Sequence, residues 1–296
     1  MKKIISLLLI ACVAMLFTAC KKEGVYTPSK KISRVYHTTP EGSKSLVASC
    51  TWNKDNTLDR IDYYSGGSIS YSYNFTYEKK RVVKMSNYVD NKYYEYKYDG
   101  NKLKEIDYYR NGNLRRIYTF TYKGSTISEI EESYIDYKSA DDRGPSGALD
   151  FIMPREFNQA YAKYQKQNPN PKATTEVTFY KLTWEKGNMV KAIVTEIEEG
   201  DNDEYVFEAK YDNKKNPMLG AALSEVQDIV NYRSKNNITE STERWDNGTE
   251  YYTVRYDYTY EGNYPKSFRK SWEEGGVGSS NIYTGYSGTT EYEYVK

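Results

Sequence analysis

Carboxylates are the side chains most available for chemistry in this sequence, which has 41 Asp and Glu among 296 residues. Several occur as neighbouring pairs, such as Glu131-Glu132 and Glu273-Glu274. A glycosidase needs two carboxyl groups that face one cleft, whereas neighbours along a β-strand point to opposite faces of the sheet. The pairs therefore indicate solvated loops or sheet edges rather than a catalytic dyad.

Nucleophilic and metal-binding side chains are scarce. His37 is the only histidine, so a hydrolase triad would have to be built around it. Cys12 and Cys20 lie in an N-terminal leader, and no basic residue is placed in the sequence to lower the pKa of Cys50. Cys50 is expected to be a small buried strand residue, without a disulfide partner. We expect no catalytic residue, no metal site and no cofactor.

Aromatic side chains remain as candidates for binding, since the sequence has 34 tyrosines and 4 tryptophans. Aromatic rings bind carbohydrate by stacking on the apolar faces of sugars, while nearby polar groups bond the hydroxyls. Trp245, Asp246 and Asn247 lie at a predicted hairpin tip, and together with Trp272 they form the predicted ligand surface. The alternative is that these rings pack over a neighbouring strand.

The first twenty residues have the order of an export signal. Lys2 and Lys3 precede an apolar run from Ile4 to Phe17, and Thr18-Ala19-Cys20 closes it. The run is short for a membrane span. Its end resembles the lipobox of bacterial lipoproteins, which implies cleavage before Cys20 and acylation of that cysteine. An ordinary secretory signal with a chance cysteine is the alternative.

This leader divides the chain into a signal peptide (1–19), a lipid anchor with a polar tether (20–31) and a body (32–296). Acyl chains on Cys20 would attach the protein to a membrane through its N-terminus. We therefore expect a lipoprotein of the cell envelope, anchored to the outer membrane, on either the periplasmic or the surface side.

Composition excludes two classes of protein. The formal net charge is +1 and no block of basic residues occurs, whereas nucleic-acid binding depends on concentrated Lys and Arg. The mean hydropathy of -0.86 excludes a membrane protein with many apolar helices. No nucleic-acid partner is expected.

An internal repeat is the main architectural signal. Each copy has an aromatic anchor, a short polar turn and an aliphatic residue about five positions after the anchor. The clearest copies are Tyr77 with Val82, Tyr98 with Leu103 and Tyr122 with Ile127. Five looser copies complete a set of eight: Trp52 with Leu58, Trp184 with Met189, Tyr211 with Met218, Tyr232 with Ile238, and Tyr260 with Phe268.

Each copy reads as two strands. Tyr94, Tyr96 and Tyr98 alternate with polar residues, as expected for a pleated strand with one buried face. Turn signals such as Asn111-Gly112 separate the strands. The sequence predicts an all-β, antiparallel hairpin meander of roughly 14–18 strands that forms a barrel-like or rolled sheet. Leu103 and Ile106 are both apolar but three residues apart, so in a regular strand they face opposite sides of the sheet. Either a β-bulge or a second buried face is therefore required.

The repeat resembles the YD repeat of bacterial surface and toxin-shell proteins, most closely at Tyr96-Lys-Tyr-Asp-Gly-Asn-Lys-Leu103. With the lipobox and the segments Tyr211 to Met218 and Ser234 to Ile238, the chain resembles a Bacteroidales lipoprotein family of unknown function. That resemblance implies a porin-like fold and carries over no catalytic residues.

An insertion at about 138–173 interrupts the repeat. Pro154 to Gln167 has the pattern of a short helix, and we expect this helix to cover an end or opening of the sheet. A second short helix is predicted from Leu219 to Val230.

These observations favour a non-catalytic envelope lipoprotein that binds a glycan or another envelope component. A glycoside-active enzyme is one alternative. An outer-membrane porin-like barrel is the other, although strands such as Lys102 to Arg110 carry charge on both faces, which a lipid-facing wall does not favour.

Overall fold

The computed structural model describes residues 22–89, 91–135, 177–198, 201–222, 232–245, 248–276 and 282–296. The predicted signal peptide, Cys20, the insertion with its predicted helix, Asp246 and Asn247 lie outside these residues. Of the second predicted helix, only residues 219–222 are described, and they form a turn and an irregular segment. Within the described ranges, no helix is long and apolar enough to cross a bilayer.

The described chain forms a closed barrel of sixteen antiparallel strands, in which each strand pairs with its neighbours in sequence and β1 pairs with β16. The all-β barrel expected from the repeat is therefore confirmed. The strands are β1 (Ile32–Thr38), β2 (Lys44–Trp52), β3 (Leu58–Ser65), β4 (Ser68–Glu78), β5 (Arg81–Asn87), β6 (Lys92–Asp99), β7 (Lys102–Arg110), β8 (Asn113–Lys123), β9 (Thr126–Tyr134), β10 (Val177–Glu185), β11 (Asn188–Glu198), β12 (Asp201–Tyr211), β13 (Ile238–Trp245), β14 (Glu250–Glu261), β15 (Tyr264–Gly276) and β16 (Tyr283–Tyr294).

Alternation along the strands gives the barrel an aromatic inner face. Tyr73 and Phe75 on β4 are buried, and so are Tyr94 and Tyr96 on β6. Only the concave face of a closed barrel can be shielded by the barrel's own walls, so these rings point inward. The predicted tyrosine stripes therefore supply the core.

The outer wall is polar and carries ion pairs between neighbouring strands. Lys84 on β5 lies 3.3 Å from Glu95 on β6. Arg255 on β14 lies 3.1 Å from Glu240 on β13. Residues of the opposite parity thus lie exposed on the outer face, as the alternating pattern predicts.

The hairpins alternate between the two ends of the barrel. We call the end with the turns that follow the aromatic anchors the anchor end, and the opposite end the mouth. At the mouth, Asn111 and Gly112 have φ values of 51° and 77°. Positive φ at both central residues matches the twist of the flanking strands, which explains the Asn-Gly sequence.

A β-bulge at each anchor resolves the parity question. Tyr98 pairs with Leu103 but Lys97 pairs with Glu105, so the register shifts by one residue at the anchor. This shift places both Leu103 and Ile106 on the inner face, where each is 1% exposed. Equivalent shifts precede Trp52, Tyr77, Tyr122, Trp184, Tyr211 and Tyr260. A second buried face is not needed.

Hydrogen bonds of the aromatic anchors also encircle the anchor end of the barrel. Seven of the eight anchors donate their O–H or indole N–H to a backbone carbonyl oxygen in the preceding hairpin. Seven bonds of 2.5–2.9 Å follow this rule: Trp52 to Ile32, Tyr77 to Leu58, Tyr98 to Val82, Tyr122 to Leu103, Trp184 to Ile127, Tyr211 to Met189 and Tyr294 to Pro265.

Two of the predicted repeat copies are corrected. Tyr211 pairs with Ile238, so Tyr211–Met218 and Tyr232–Ile238 are one unit interrupted by residues 212–237. Because of this interruption, Tyr260 donates to the Asp212 carboxylate instead of a backbone carbonyl. The remaining anchor is Tyr294, whose partner Ile32 lies at the other end of the chain.

Residues 22–31, predicted as a polar tether, are packed across the anchor end. The Glu23 N–H donates to Asn101 O at 3.0 Å, and the Gly24 carbonyl accepts from Val82 N–H at 2.9 Å. Tyr26 is 4% exposed. Gly24 has φ of 74°, and a Cβ there would lie 2.1 Å from the Tyr98 hydroxyl, so only glycine fits.

The Glu23 carboxylate fixes this segment. It accepts hydrogen bonds from the Leu103 N–H at 2.8 Å and the Tyr122 hydroxyl at 2.5 Å. Arg233 lies 3.9 Å away, and both side chains are largely buried. The N-terminal segment is thus part of the folded body.

The anchor hydrogen bonds predict a measurable loss of stability on deletion of one hydroxyl. Tyr98→Phe in the full chain should lower the free energy of unfolding by about 1 kcal/mol, because the Val82 carbonyl loses its ring donor. Urea unfolding followed by circular dichroism measures the change. Tyr88→Phe, at a residue that is 74% exposed, should leave the midpoint unchanged. Equal midpoints for both variants would contradict a stabilising role for the anchors.

Candidate functional site

Four adjacent strands, β13 to β16, bring aromatic and carboxylate side chains together on the inner face at the mouth. The outermost cross-strand row joins Trp245 to Glu250. The next row joins Glu243, Tyr252, Glu274 and Tyr283. Directly paired residues share one face of a sheet, so these side chains form one surface, which we call the mouth cluster together with Trp272.

Trp245 is held by its cross-strand partner. Its indole Nε1–H donates to Glu250 Oε2 at 2.9 Å. Glu250 is exposed, whereas Trp245 is half-buried and packs against the core. The carboxylate therefore fixes the ring orientation and still faces solvent with its second oxygen.

Trp272 and Tyr252 form a stacked pair next to this contact. Their ring centroids are 6.0 Å apart and their planes differ by 20°. A Cβ at Gly285 on β16 would lie 2.4 Å from the Trp272 ring, so the ring lies directly over that glycine. Trp272 therefore packs over the neighbouring strand β16, as in the alternative given for these rings under Sequence analysis.

The mouth cluster combines buried and exposed groups. Tyr283 is 61% exposed, whereas Tyr252 is 7% and Glu243 is 1% exposed. Rings with an accessible edge or face beside carboxylate acceptors are suited to stacking on a sugar and bonding its hydroxyls. The cluster can therefore bind a polar ligand that has an apolar face.

Exposed apolar side chains also concentrate at this end of the barrel. Among the described residues, every exposed large hydrophobic except Val295 lies at or near the mouth: Ile69, Tyr88, Val89, Ile135, Phe179, Ile197, Ile282, Tyr283 and Tyr286. Single exposed hydrophobics need no explanation, but a concentration at one end is typical of an interaction surface.

A buried ion pair lies on the inner face of β8 to β10. Arg116 Nη1 is 3.3 Å from Glu132 Oε1, and both side chains are about 5% exposed. The Tyr180 hydroxyl donates to Glu132 Oε2 at 2.8 Å, and Arg116 lies 4.7 Å from the centroid of the Tyr134 ring. Burial, and then the adjacent Glu132 carboxylate, raise the pKa of Tyr180 well above its usual value. The group is a structural charge pair with its hydrogen bonds satisfied.

Cys50 and His37, the two residues considered for nucleophilic chemistry, are packed strand residues. Cys50 faces the barrel interior and packs against the core, and burial raises the pKa of its thiol to about 12. His37 lies on β1 beside Gly288, where a Cβ would approach its ring to 2.8 Å. No group of three potential metal ligands occurs among the residues that the structure describes.

The predicted ligand surface is only partly testable. The structure places Trp245 and Trp272 on the same inner face, on β13 and β15, while Asp246 and Asn247 lie outside the described residues. Sequence reasoning missed Glu250, Tyr252, Glu274 and Tyr283. In the sequence, a two-residue hairpin turn at Asn247-Gly248 already predicts that Trp245 lies opposite Glu250, which is the observed pairing.

A scan of protein-family models and a search of curated proteins give no match to this chain. Among solved structures, the chain is similar to a porin-like protein from Bacteroides vulgatus ATCC 8482, with a TM-score of 0.51, 11% identity and coverage of 90% of this chain and 99% of that one. A porin-like protein from Bacteroides uniformis ATCC 8492 has a TM-score of 0.49 and 11% identity, over 89% and 98% of the two chains.

At this identity the comparison with the Bacteroides vulgatus protein concerns the fold alone. It agrees with the porin-like fold that the family resemblance implied. Membership of the YD-repeat-like lipoprotein family stays a prediction.

The buried ion pair gives a prediction about stability. Glu132→Gln should lower the free energy of unfolding by about 3 kcal/mol, because Arg116 is left as an uncompensated buried charge. Glu95→Gln removes the acid of an exposed pair with Lys84 and should cost under about 1 kcal/mol. Urea unfolding measures both, and similar losses would show that the interior pair is solvated.

The raised thiol pKa gives a second prediction. In the native full chain at pH 8, Cys50 should react with iodoacetamide far more slowly than in urea, since the reactive thiolate is scarce and the side chain packs against the core. Mass spectrometry of the Cys50 peptide measures the rate, and Cys50→Ser provides the blank. Equally rapid labelling in both conditions would contradict the interior placement.

Proposed function

We propose that this protein is a cell-envelope barrel, attached to a membrane by a lipid on Cys20, that binds glycan at its mouth without catalysing a reaction. The membrane attachment is proposed from the lipobox resemblance. The observation that carries the binding role is the mouth cluster, in which Trp245, Glu250 and Tyr283 are grouped on adjacent strands.

The geometry of the mouth cluster suits a sugar ligand. Tyr283 presents an exposed ring, and the Glu250 carboxylate is already oriented by Trp245. A ligand would therefore meet side chains whose positions are fixed before binding, which lowers the entropic cost of association.

A glycoside-active enzyme is the second candidate, because Glu243 and Glu274 flank Tyr252 on the same inner face. Two strand spacings separate them by about 9.5 Å, at the upper limit for an inverting carboxylate pair. Glu243 is only 1% exposed, however, and a substrate would have to reach that carboxyl group. Binding is therefore favoured over hydrolysis.

A lipid-spanning porin is less well supported. The outer wall carries charged residues within the strands, including Lys84, Glu95 and Arg255. A Lys or Arg facing lipid at the middle of a bilayer costs about 2 to 4 kcal/mol. A wall of this kind is suited to water.

Binding can be tested with the full chain in detergent on an array of xylo-, manno- and N-acetylglucosamine oligosaccharides. We expect retention of at least one class, and Tyr283→Ala should weaken binding of that class about tenfold, since an aromatic contact contributes about 1.4 kcal/mol. Titration calorimetry with the retained oligosaccharide measures the affinity.

Tyr88→Ala is the matched control, because Tyr88 is exposed at the same end of the barrel but lies on the β5–β6 turn. It should leave the affinity unchanged. Retention of no oligosaccharide, or equal losses in both variants, would contradict the mouth cluster as a glycan site. Shortened products from a retained oligosaccharide would favour the enzyme.

A further inference from the structure

Cations are concentrated at the anchor end of the barrel, although the chain as a whole has a net charge of +1. Among the described residues, the turns and chain ends at the anchor end contain fifteen Lys and Arg and seven Asp and Glu. These segments are residues 22–31, 53–57, 78–81, 99–102, 123–126, 185–188, 212–222, 232–237, 261–264 and 295–296.

Two of the counted acids are engaged within the fold. Glu23 is held inside by Tyr122, Leu103 and Arg233. The Asp212 carboxylate accepts hydrogen bonds from both amide groups of Asn237 and from Tyr260. Both carboxylates are therefore engaged within the fold.

The exposed charges at this end are mostly cations. Eight lysines are exposed, namely Lys54, Lys79, Lys80, Lys123, Lys186, Lys215, Lys235 and Lys296, against five exposed acids, namely Asp55, Glu78, Asp99, Glu185 and Glu261. Lys79, Lys80 and Lys186 have φ values of 50° to 65°, a backbone conformation in which Asn or Gly is usual. The turn geometry at these three positions favours Asn or Gly over lysine.

The N-terminal chain reaches the same end. Glu23 is fixed between Asn101 and Leu103, and Lys22 precedes it. A chain attached to Lys22 therefore leaves the body at the plane in which the exposed lysines lie.

We propose that the anchor end is a docking surface for an anionic lipid membrane. Each Lys or Arg close to an anionic surface contributes about 1 kcal/mol, and the contribution is confined to about 8 Å at physiological ionic strength. The exposed turns form a ring around one end of the barrel, so several lysines can approach a flat surface together. The proposal rests on these described charges and does not require acylation of Cys20.

Docking in this way orients the molecule. The eleven residues of β8 (Asn113–Lys123) span about 36 Å along the strand, or about 28 Å along the barrel axis at a tilt of about 40°. The mouth, where Glu41, Glu204, Glu250 and Glu274 lie, is then held away from the lipid surface.

The test uses the full chain reconstituted into vesicles of phosphatidylcholine with or without phosphatidylglycerol. A membrane-impermeant acylating reagent labels lysines, and mass spectrometry measures each rate. With phosphatidylglycerol, Lys54 and Lys235 should be labelled several-fold more slowly, while Lys181 and Lys191 on the barrel wall keep their rates. High salt should remove the difference. Equal rates on both vesicles, or protection of the wall lysines instead, would overturn the proposal.

A charge variant separates docking from simple proximity to the vesicle. The triple variant Lys79→Asn, Lys80→Asn and Lys186→Asn should fold normally, because Asn tolerates positive φ. It should lose the protection of Lys54 and Lys235 by phosphatidylglycerol. The control variant Lys181→Gln with Lys191→Gln should retain it. Undiminished protection in the triple variant would overturn the proposal, and neither result depends on a glycan.

Discussion

The hydrogen bond that seven of the eight anchor rings donate to a carbonyl oxygen of the preceding hairpin is the interaction on which the barrel depends. It joins hairpins that are neighbours in sequence, as Tyr98 does with Val82. The bulge at the same position turns the anchor and two following aliphatic residues toward one face. Because of the bulge, an anchor and an aliphatic residue five positions later lie on the same face of the sheet. Eight such units close into the barrel.

Much of this architecture could be predicted because it is local. Alternating tyrosines gave the strands, and Asn111-Gly112 gave a hairpin turn with both φ values positive. The features that could not be predicted depend on contacts distant in sequence. Tyr294 finds Ile32 across the whole chain, and Glu23 reaches Tyr122 across the anchor end. Trp245 and Trp272 were singled out as types of residue, but strand pairing was needed to add Tyr252 and Glu274.

The two ends of the barrel have different chemistry. The anchor end combines fixed turns, an ordered N-terminal segment and exposed lysines. The mouth combines carboxylates with exposed rings such as Tyr283. Between them the inner face is tyrosine-rich and carries the ion pair of Arg116 with Glu132. This separation fits the two proposals, attachment at one end and binding at the other, with a polar wall between them.

The pairing of β1 with β16 has a consequence for folding. The seam joins Ile32 of the first strand to Tyr294 of the last. The cylinder cannot close before β16 has left the ribosome, because Ile32 has no sheet partner on that edge before then. Pairing between segments so distant in sequence is slow, so both edges of the open sheet stay unpaired until the final step of folding.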